Sequence, residues 1–156
     1  KKIIRNFAEF SYPLDYEKIK RWTKMTEKDS KNKTRKNYHF AICFKEDSQL
    51  IGSISIKDAD HFHRTCELAY WLSEDYQGKG IMHEAAKRVI QFCFTELKMQ
   101  RININAFVMN SASNGLIKKL GFVYEGTRKE YKKSRVDNKY YDLEEYGLLK
   151  KNWKKK

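Results

Sequence analysis

The stretch from Ala69 to Ala86, AYWLSEDYQGKGIMHEAA, constrains the fold more than any other part of the chain. Glu67 to Leu72 (ELAYWL) reads as a strand. From Gly80 to Leu97 the apolar positions Ile81, Ala85, Val89, Phe92 and Cys93 recur at helical spacing, with Met82, Ala86 and Ile90 widening the stripe. Between strand and helix lies Gly78-Lys79-Gly80. A helix opening there aims unpaired backbone N–H groups and the positive end of its dipole at whatever lies beyond its start. Such a mouth suits an anion. Glycine lets backbone approach the anion closely, and Lys79 adds charge. The familiar nucleotide loops do not match: GxxxxGK[ST] is absent, and His83 stands where a dinucleotide fingerprint needs glycine. Gly-Lys-Gly also serves elsewhere simply to turn a chain, so by itself it names no ligand.

The rest of the chain supplies the other elements of an α/β fold. Residues 13–36 carry apolar positions at Leu14, Ile19, Trp22 and Met25, predicting a helix followed by a lysine-rich loop. Tyr38 to Phe44 and Gln49 to Ile56 are rich in β-branched and aromatic residues and flank a KEDS turn, which predicts an antiparallel hairpin. Arg101 to Val108 (RININAFV) alternates like a strand, and Ser113 to Leu120 reads as a short helix with Gly121 at its C-cap. Phe122 to Glu125 and the tyrosine-rich stretch ending at Leu149 predict further strands. The expectation is a mixed sheet with helices in a single domain over residues 1–156, with no internal repeat or linker.

Composition excludes several classes. No apolar run approaches the roughly 20 residues of a membrane span, and the N-terminus lacks a signal-peptide apolar region. The three cysteines, Cys43, Cys66 and Cys93, lie far apart among apolar neighbours, which predicts reduced, buried thiols in a cytoplasmic protein. No CxxC pair points to zinc, and His61 and His63 have no third ligand nearby, so no metal is expected. The net charge of +13 should attract polyanions such as nucleic acid, the ribosome or a phosphorylated cofactor. The competing reading is a lysine-rich surface that keeps the protein soluble, with the terminal KKNWKKK a solvated tail.

Gln77-Gly78-Lys79-Gly80-Ile81-Met82 resembles the Q/R-x-x-G-x-G/A signature of GNAT-type N-acetyltransferases, with Met82 departing from the last position. Asn110-Ser111-Ala112-Ser113 followed by Leu116 to Phe122 resembles a segment of the ribosomal-protein N-terminal acetyltransferase group, the RimJ/RimL type. Asp142-Leu143, Tyr146 to Lys150 and Trp153 resemble that group's closing strand. With ELAYWL these segments occur in order from about Tyr38 onward. The resemblance implies a GNAT fold and a loop that holds the pyrophosphate of acetyl-coenzyme A (acetyl-CoA). It also implies an opening strand and helix, of which residues 1–10 look like the end; a truncated or reduced N-terminus is therefore expected.

The same resemblance assigns roles. An amine attacks the thioester directly in a ternary complex with acetyl-CoA, without an acyl-enzyme. Glu67 is the candidate base, acting directly or through water, and needs a raised pKa or a water relay near neutrality. Tyr70, Trp71 and Leu72 would line the pantetheine arm and offer an N–H to the acetyl carbonyl. Gln77, Gly78, Lys79, Gly80, Ile81 and Met82 would bind the pyrophosphate; His83, in the first helical turn, reads as a neutral neighbour. Asn110 would bind pantetheine amides or cap a helix. Many relatives place a tyrosine where this chain has Ile117, which removes the usual acid and leaves Ser113 to hydrogen-bond the leaving sulfur. The acceptor reads as a protein N-terminal α-amine, with polyamines, aminoglycosides and free amino acids as the alternatives. Asp142, Glu144 and Glu145 could form an acidic pocket favouring such small amines, or be solvated or paired with lysines. A basic RNA- or ribosome-binding module and a non-catalytic CoA-binding protein are the rivals from other classes. Ribosome association through the basic surface and a homodimer are compatible with the sequence; a membrane partner is not expected.

Overall fold

The structure is a computed structural model that describes residues 16–32, 35–134 and 137–153. The expectation for residues 1–10 lies outside the described residues, as do Leu14 and the last three lysines. The elements are helix α1 (Tyr16–Ser30), strands β1 (Tyr38–Cys43), β2 (Leu50–Asp60) and β3 (Thr65–Leu72), a 3-10 turn (Glu74–Tyr76), helix α2 (Ile81–Thr95), strand β4 (Arg101–Phe107), helix α3 (Ser111–Lys119), strands β5 (Val123–Lys133) and β6 (Tyr140–Leu149), and a closing 3-10 turn (Lys150–Asn152). The strands form a six-stranded sheet in the order β1-β2-β3-β4-β6-β5. Neighbours are antiparallel except β3 and β4, which are parallel and joined through α2.

The two faces of the sheet differ in chemistry because side chains alternate along each strand. Ile54, Ile56, Cys66, Leu68, Ile102, Ile104 and Leu148 form one buried core with Ala86, Val89, Ile90, Cys93 and Phe94 of α2 and Ile117 of α3. Each Val, Leu, Ile or Phe among them contributes roughly 1.5–3 kcal/mol on burial, so this face fixes the register. Intervening residues, including Lys57, Glu67, Asn103 and Asn105, are only partly buried and line the opposite face. Trp153 is anchored against Phe94, with ring centroids 5.3 Å apart.

Several expectations need correction. Cys43 is exposed, whereas Cys66 and Cys93 are buried; it ends β1 at a register shift, where the chain leaves the packed part of the sheet. The Cys66 and Cys93 sulfurs lie 4.0 Å apart where β3 meets α2, and that contact together with burial pushes the Cys93 pKa upward. Met25 is exposed on α1. Helix α2 stops at Thr95 because Leu97 N–H turns back to the Phe92 carbonyl and Lys98 adopts a left-handed φ of 56°. Strand β5 runs on to Lys133, well past Glu125, because β6 pairs with it as far as Lys133↔Tyr140. Gly121 has the expected left-handed φ, 91°, after α3.

Candidate active site

Strand β3 pairs with β2 from Gly52↔Leu72 to Lys57↔Glu67, but with β4 only from Thr65↔Arg101 to Leu68↔Ile104. Beyond Leu68 the parallel strands part, while β4 stays paired with β6 to Phe107↔Leu143. The β4-facing edge of Ala69–Leu72 therefore has no strand beside it among the described residues, and of its backbone groups the Leu72 carbonyl is taken up by a side chain of the loop that follows. The opening leads to the glycine loop.

The loop is held by its own side chains. Gln77 Nε2 donates to the Leu72 carbonyl at 2.9 Å, closing the turn on the end of β3. Gly78 and Gly80 have φ of 75° and 81°, a region where a Cβ is strained, and an added Cβ would meet nothing within 4 Å. Gly80 is the N-cap of α2 and makes no side-chain cap. The first-turn N–H groups of α2 thus face outward over a surface with no Cβ in the way, which fits an anionic group. Lys79 Nζ sits 5.5 Å from the Tyr76 ring centroid. Met82 and Leu72 are buried together with Ile51, so Met82 can offer an anion only its backbone, and Ile81 packs against the same cluster.

Glu67 lies on the polar face of the opening. Asn105 Nδ2, on β4, donates to Glu67 Oε1 at 3.2 Å. Burial raises the Glu67 pKa above the ordinary glutamate range; Lys132, Lys57 and the Asn105 bond oppose the shift but do not cancel it, and Asp58 adds to it. On the same face His39 Nδ1 and Ser55 Oγ lie 2.8 Å apart, beside Ala69 in the register. Trp71, opposite Ser53, is partly buried there too.

Tyr70 points to the other face. Its phenol lies 2.9 Å from Ser113 Oγ, and burial pushes its pKa up to about 12 despite that bond. Asn110 Oδ1 accepts from the Ser113 backbone N–H at 3.2 Å, so Asn110 caps α3, the structural one of its two expected roles. Ile117 is fully buried in the main core and supplies packing. Tyr146, also buried, donates to Asn114 Oδ1 at 3.3 Å and to Glu144, and its pKa is raised by burial first and Glu144 second.

The acidic candidates near the chain's end are each engaged. Asp142 accepts from Lys129 Nζ at 2.8 Å and from the Glu130 N–H at 2.9 Å. Glu145 pairs with Arg128 at 2.8 Å. Asn105 meets Glu67 on one face of the sheet and Tyr70 meets Ser113 on the other, and the alternation RININAF carries the signal for Asn105, since it puts Asn103 and Asn105 on one face. Among the described residues no group of three His, Cys, Asp or Glu could hold a metal. His63 belongs to a turn, its N–H donating to Asp60 Oδ1 at 2.7 Å.

Comparison with known proteins identifies the family. The model of the acetyltransferase (GNAT) domain family matches residues 2–123. A ribosomal-protein-serine acetyltransferase of Escherichia coli is 37% identical over 69% of this chain and 59% of its own length. The Bacillus subtilis protein YdaF, provisionally named a ribosomal N-acetyltransferase, is 35% identical over 69% of this chain and 57% of its own length. The chain thus spans less than two thirds of either relative. The dodecameric spermidine N-acetyltransferase of Vibrio cholerae superposes with a TM-score of 0.74 at 23% identity, over 86% of this chain and 75% of that one, and shows a shared fold. The chain belongs to the GNAT acetyltransferase family.

Proposed function

We propose that the chain is an acetyl-CoA-dependent N-acetyltransferase whose acceptor is a protein N-terminal α-amine. The observation that carries this reading is the opening between β3 and β4, with Glu67 on one face, Ser113 on the other and the glycine loop at its end. The unpaired edge of Tyr70, Trp71 and Leu72 receives the pantetheine arm, as an added strand would be received. The amides of Gly78 to Met82, with Lys79, hold the pyrophosphate, and Gln77 shapes that loop. Asn110 contributes by holding Ser113 in place. Glu67 takes the amine proton as nitrogen attacks the thioester carbonyl carbon, a backbone N–H of the unpaired edge stabilises the oxyanion, and Ser113 Oγ hydrogen-bonds the departing sulfur.

Two points favour an α-amine over a polyamine. An α-amino group with a pKa near 8 is about 10% neutral at pH 7, against well under ~0.1% for an amine near 10.4; a weak base serves the former better. The carboxylates near the chain's end that could form an acidic pocket, Asp142, Glu144 and Glu145, already have protein partners. Both arguments agree with the names of the E. coli and B. subtilis relatives. The spermidine enzyme of the same fold keeps the polyamine reading as the second one. The basic surface suits association with the ribosome.

The test incubates the chain with acetyl-CoA and a panel of N-terminal peptides, spermidine, aminoglycosides and amino acids, read by mass spectrometry. One added acetyl group on a peptide α-amine is expected. Acetylated spermidine or aminoglycoside alone would overturn the acceptor, and an unmodified panel with intact coenzyme binding would make this a non-catalytic CoA-binding protein.

A further inference from the structure

The Ser113 hydroxyl has a partner on the strand across the opening. Tyr70 places its phenol oxygen 2.9 Å from Ser113 Oγ and 3.5 Å from the Ser113 carbonyl oxygen. Its ring packs against both apolar clusters, so packing sets where the phenol sits. Asn110 holds the same serine through its backbone N–H. Ser113 is therefore fixed from two sides. We propose that Tyr70 is a positioning residue for Ser113, its O–H donating to Ser113 Oγ so that the serine's own O–H is directed at the sulfur of the departing coenzyme. The inference rests on the role given to Ser113 above.

Two proton arrangements share the 2.9 Å contact. In one, the phenol donates to the Ser113 carbonyl and the serine spends its proton on the phenol. In the other, the phenol donates to Oγ and the serine proton is released. The carbonyl arm, at 3.5 Å, is at the limit of a hydrogen bond. A sulfur gaining negative charge therefore draws the pair into the second arrangement. As the amine nitrogen bonds to the carbonyl carbon, the amine proton passes to Glu67. The C–S bond breaks with its electron pair on sulfur, and the Ser113 O–H solvates that pair. Neither hydroxyl gives up its proton: burial pushes the Tyr70 phenol up to about 12, whereas a thiol ionises near 8.5, so full transfer runs uphill by about three thousandfold. The thiolate takes its proton from water, and Glu67 returns the amine proton to water.

The test measures steady-state kinetics with acetyl thioesters whose thiols span a range of acidity, for the wild type, Tyr70→Phe, Ser113→Ala and the double variant. Tyr70→Phe removes one oxygen and keeps the ring, and thermal melting with calorimetry of coenzyme A binding checks that each variant is folded. The expected result is a kcat about tenfold lower in Tyr70→Phe, the loss of one hydrogen bond, with KM for acetyl-CoA within about twofold. The deficit should shrink as the thiol becomes more acidic, and the double variant should be no slower than Ser113→Ala. A Tyr70→Phe loss equal for every thioester, or no loss while Ser113→Ala is impaired, overturns the role of Tyr70 alone. A Ser113→Ala variant with the wild-type rate and thiol dependence overturns the reading of Ser113 and this inference with it.

Discussion

Glu67 is where desolvation and charge oppose one another, and desolvation wins. Burial raises its pKa although Lys132 and Lys57 favour the carboxylate. The carboxylate is the active form of a base, so kcat/KM should fall as pH drops through the raised value. The acceptor amine must also lose a proton, so the logarithm of kcat/KM should approach a slope of two below both pKa values. Glu67→Gln should lower kcat by about 10²–10⁴-fold and leave a slope of one; an unchanged rate and slope would remove Glu67 from the chemistry. The same shift acts on stability with a definite sign. A folded-state pKa above the unfolded one means that the native chain holds the proton more tightly. The stability so contributed is present below the ordinary glutamate value and lost as pH rises through the raised value. Glu67→Gln should therefore melt higher than the wild type at pH 7 and lose that advantage near pH 4. Equal melting temperatures at both pH values would mean that the carboxylate is well solvated.

At the scale of elements, the loop from Gly78 to Gly80 and the helix it opens separate backbone demands from ligand demands. Gly80→Ala puts a Cβ on a residue at φ 81° with open space around it, so its folding cost should be the left-handed penalty alone, roughly 1–2 kcal/mol. Coenzyme A affinity should fall as well, because the new methyl covers the first-turn amides. A melting shift without an affinity change would mean that the loop only turns the chain. Gly115 is the opposite case: it is exposed inside α3, and an added Cβ would meet nothing within 4 Å. Gly115→Ala should raise stability by about 0.5–1 kcal/mol, checked by urea unfolding. Sequence periodicity was enough to place α2 and β3, whose apolar residues mark a buried face every turn or every second residue. It could not find the length of β5, where TRKEYKK has no apolar period and the partner strand β6 alone holds the pairing. The family resemblance, not periodicity, singles out Glu67 and Ser113, and it does not say what they touch, because Asn105 and Tyr70 reach them from 38 and 43 positions away. Cys43 was misplaced for a related reason: apolar neighbours in sequence do not fix where a strand leaves the core.

At the scale of the whole molecule, charge decides what arrives at the opening. The chain carries 33 Lys and Arg against 20 Asp and Glu, and several of the acids are spent on ion pairs, Arg101–Glu125, Arg128–Glu145 and Lys129–Asp142. Those pairs are largely at the surface and add little stability each, but they leave the field around the molecule positive. A polyanionic coenzyme should be drawn in and a polycationic acceptor repelled, over about 10 Å at 0.1 M salt and about 3 Å at 1 M. The kcat/KM for acetyl-CoA should therefore fall by about tenfold between roughly 0.05 and 0.5 M salt while kcat holds. Spermidine offered as acceptor should show the reverse slope, its poor kcat/KM improving as repulsion is screened, and a neutral N-terminal peptide should show almost none. A flat acetyl-CoA profile would mean that the lysines serve solubility alone. A spermidine profile that falls with salt would reveal a local acidic site stronger than the field of the whole chain, and would transfer the acceptor from the peptide to the polyamine.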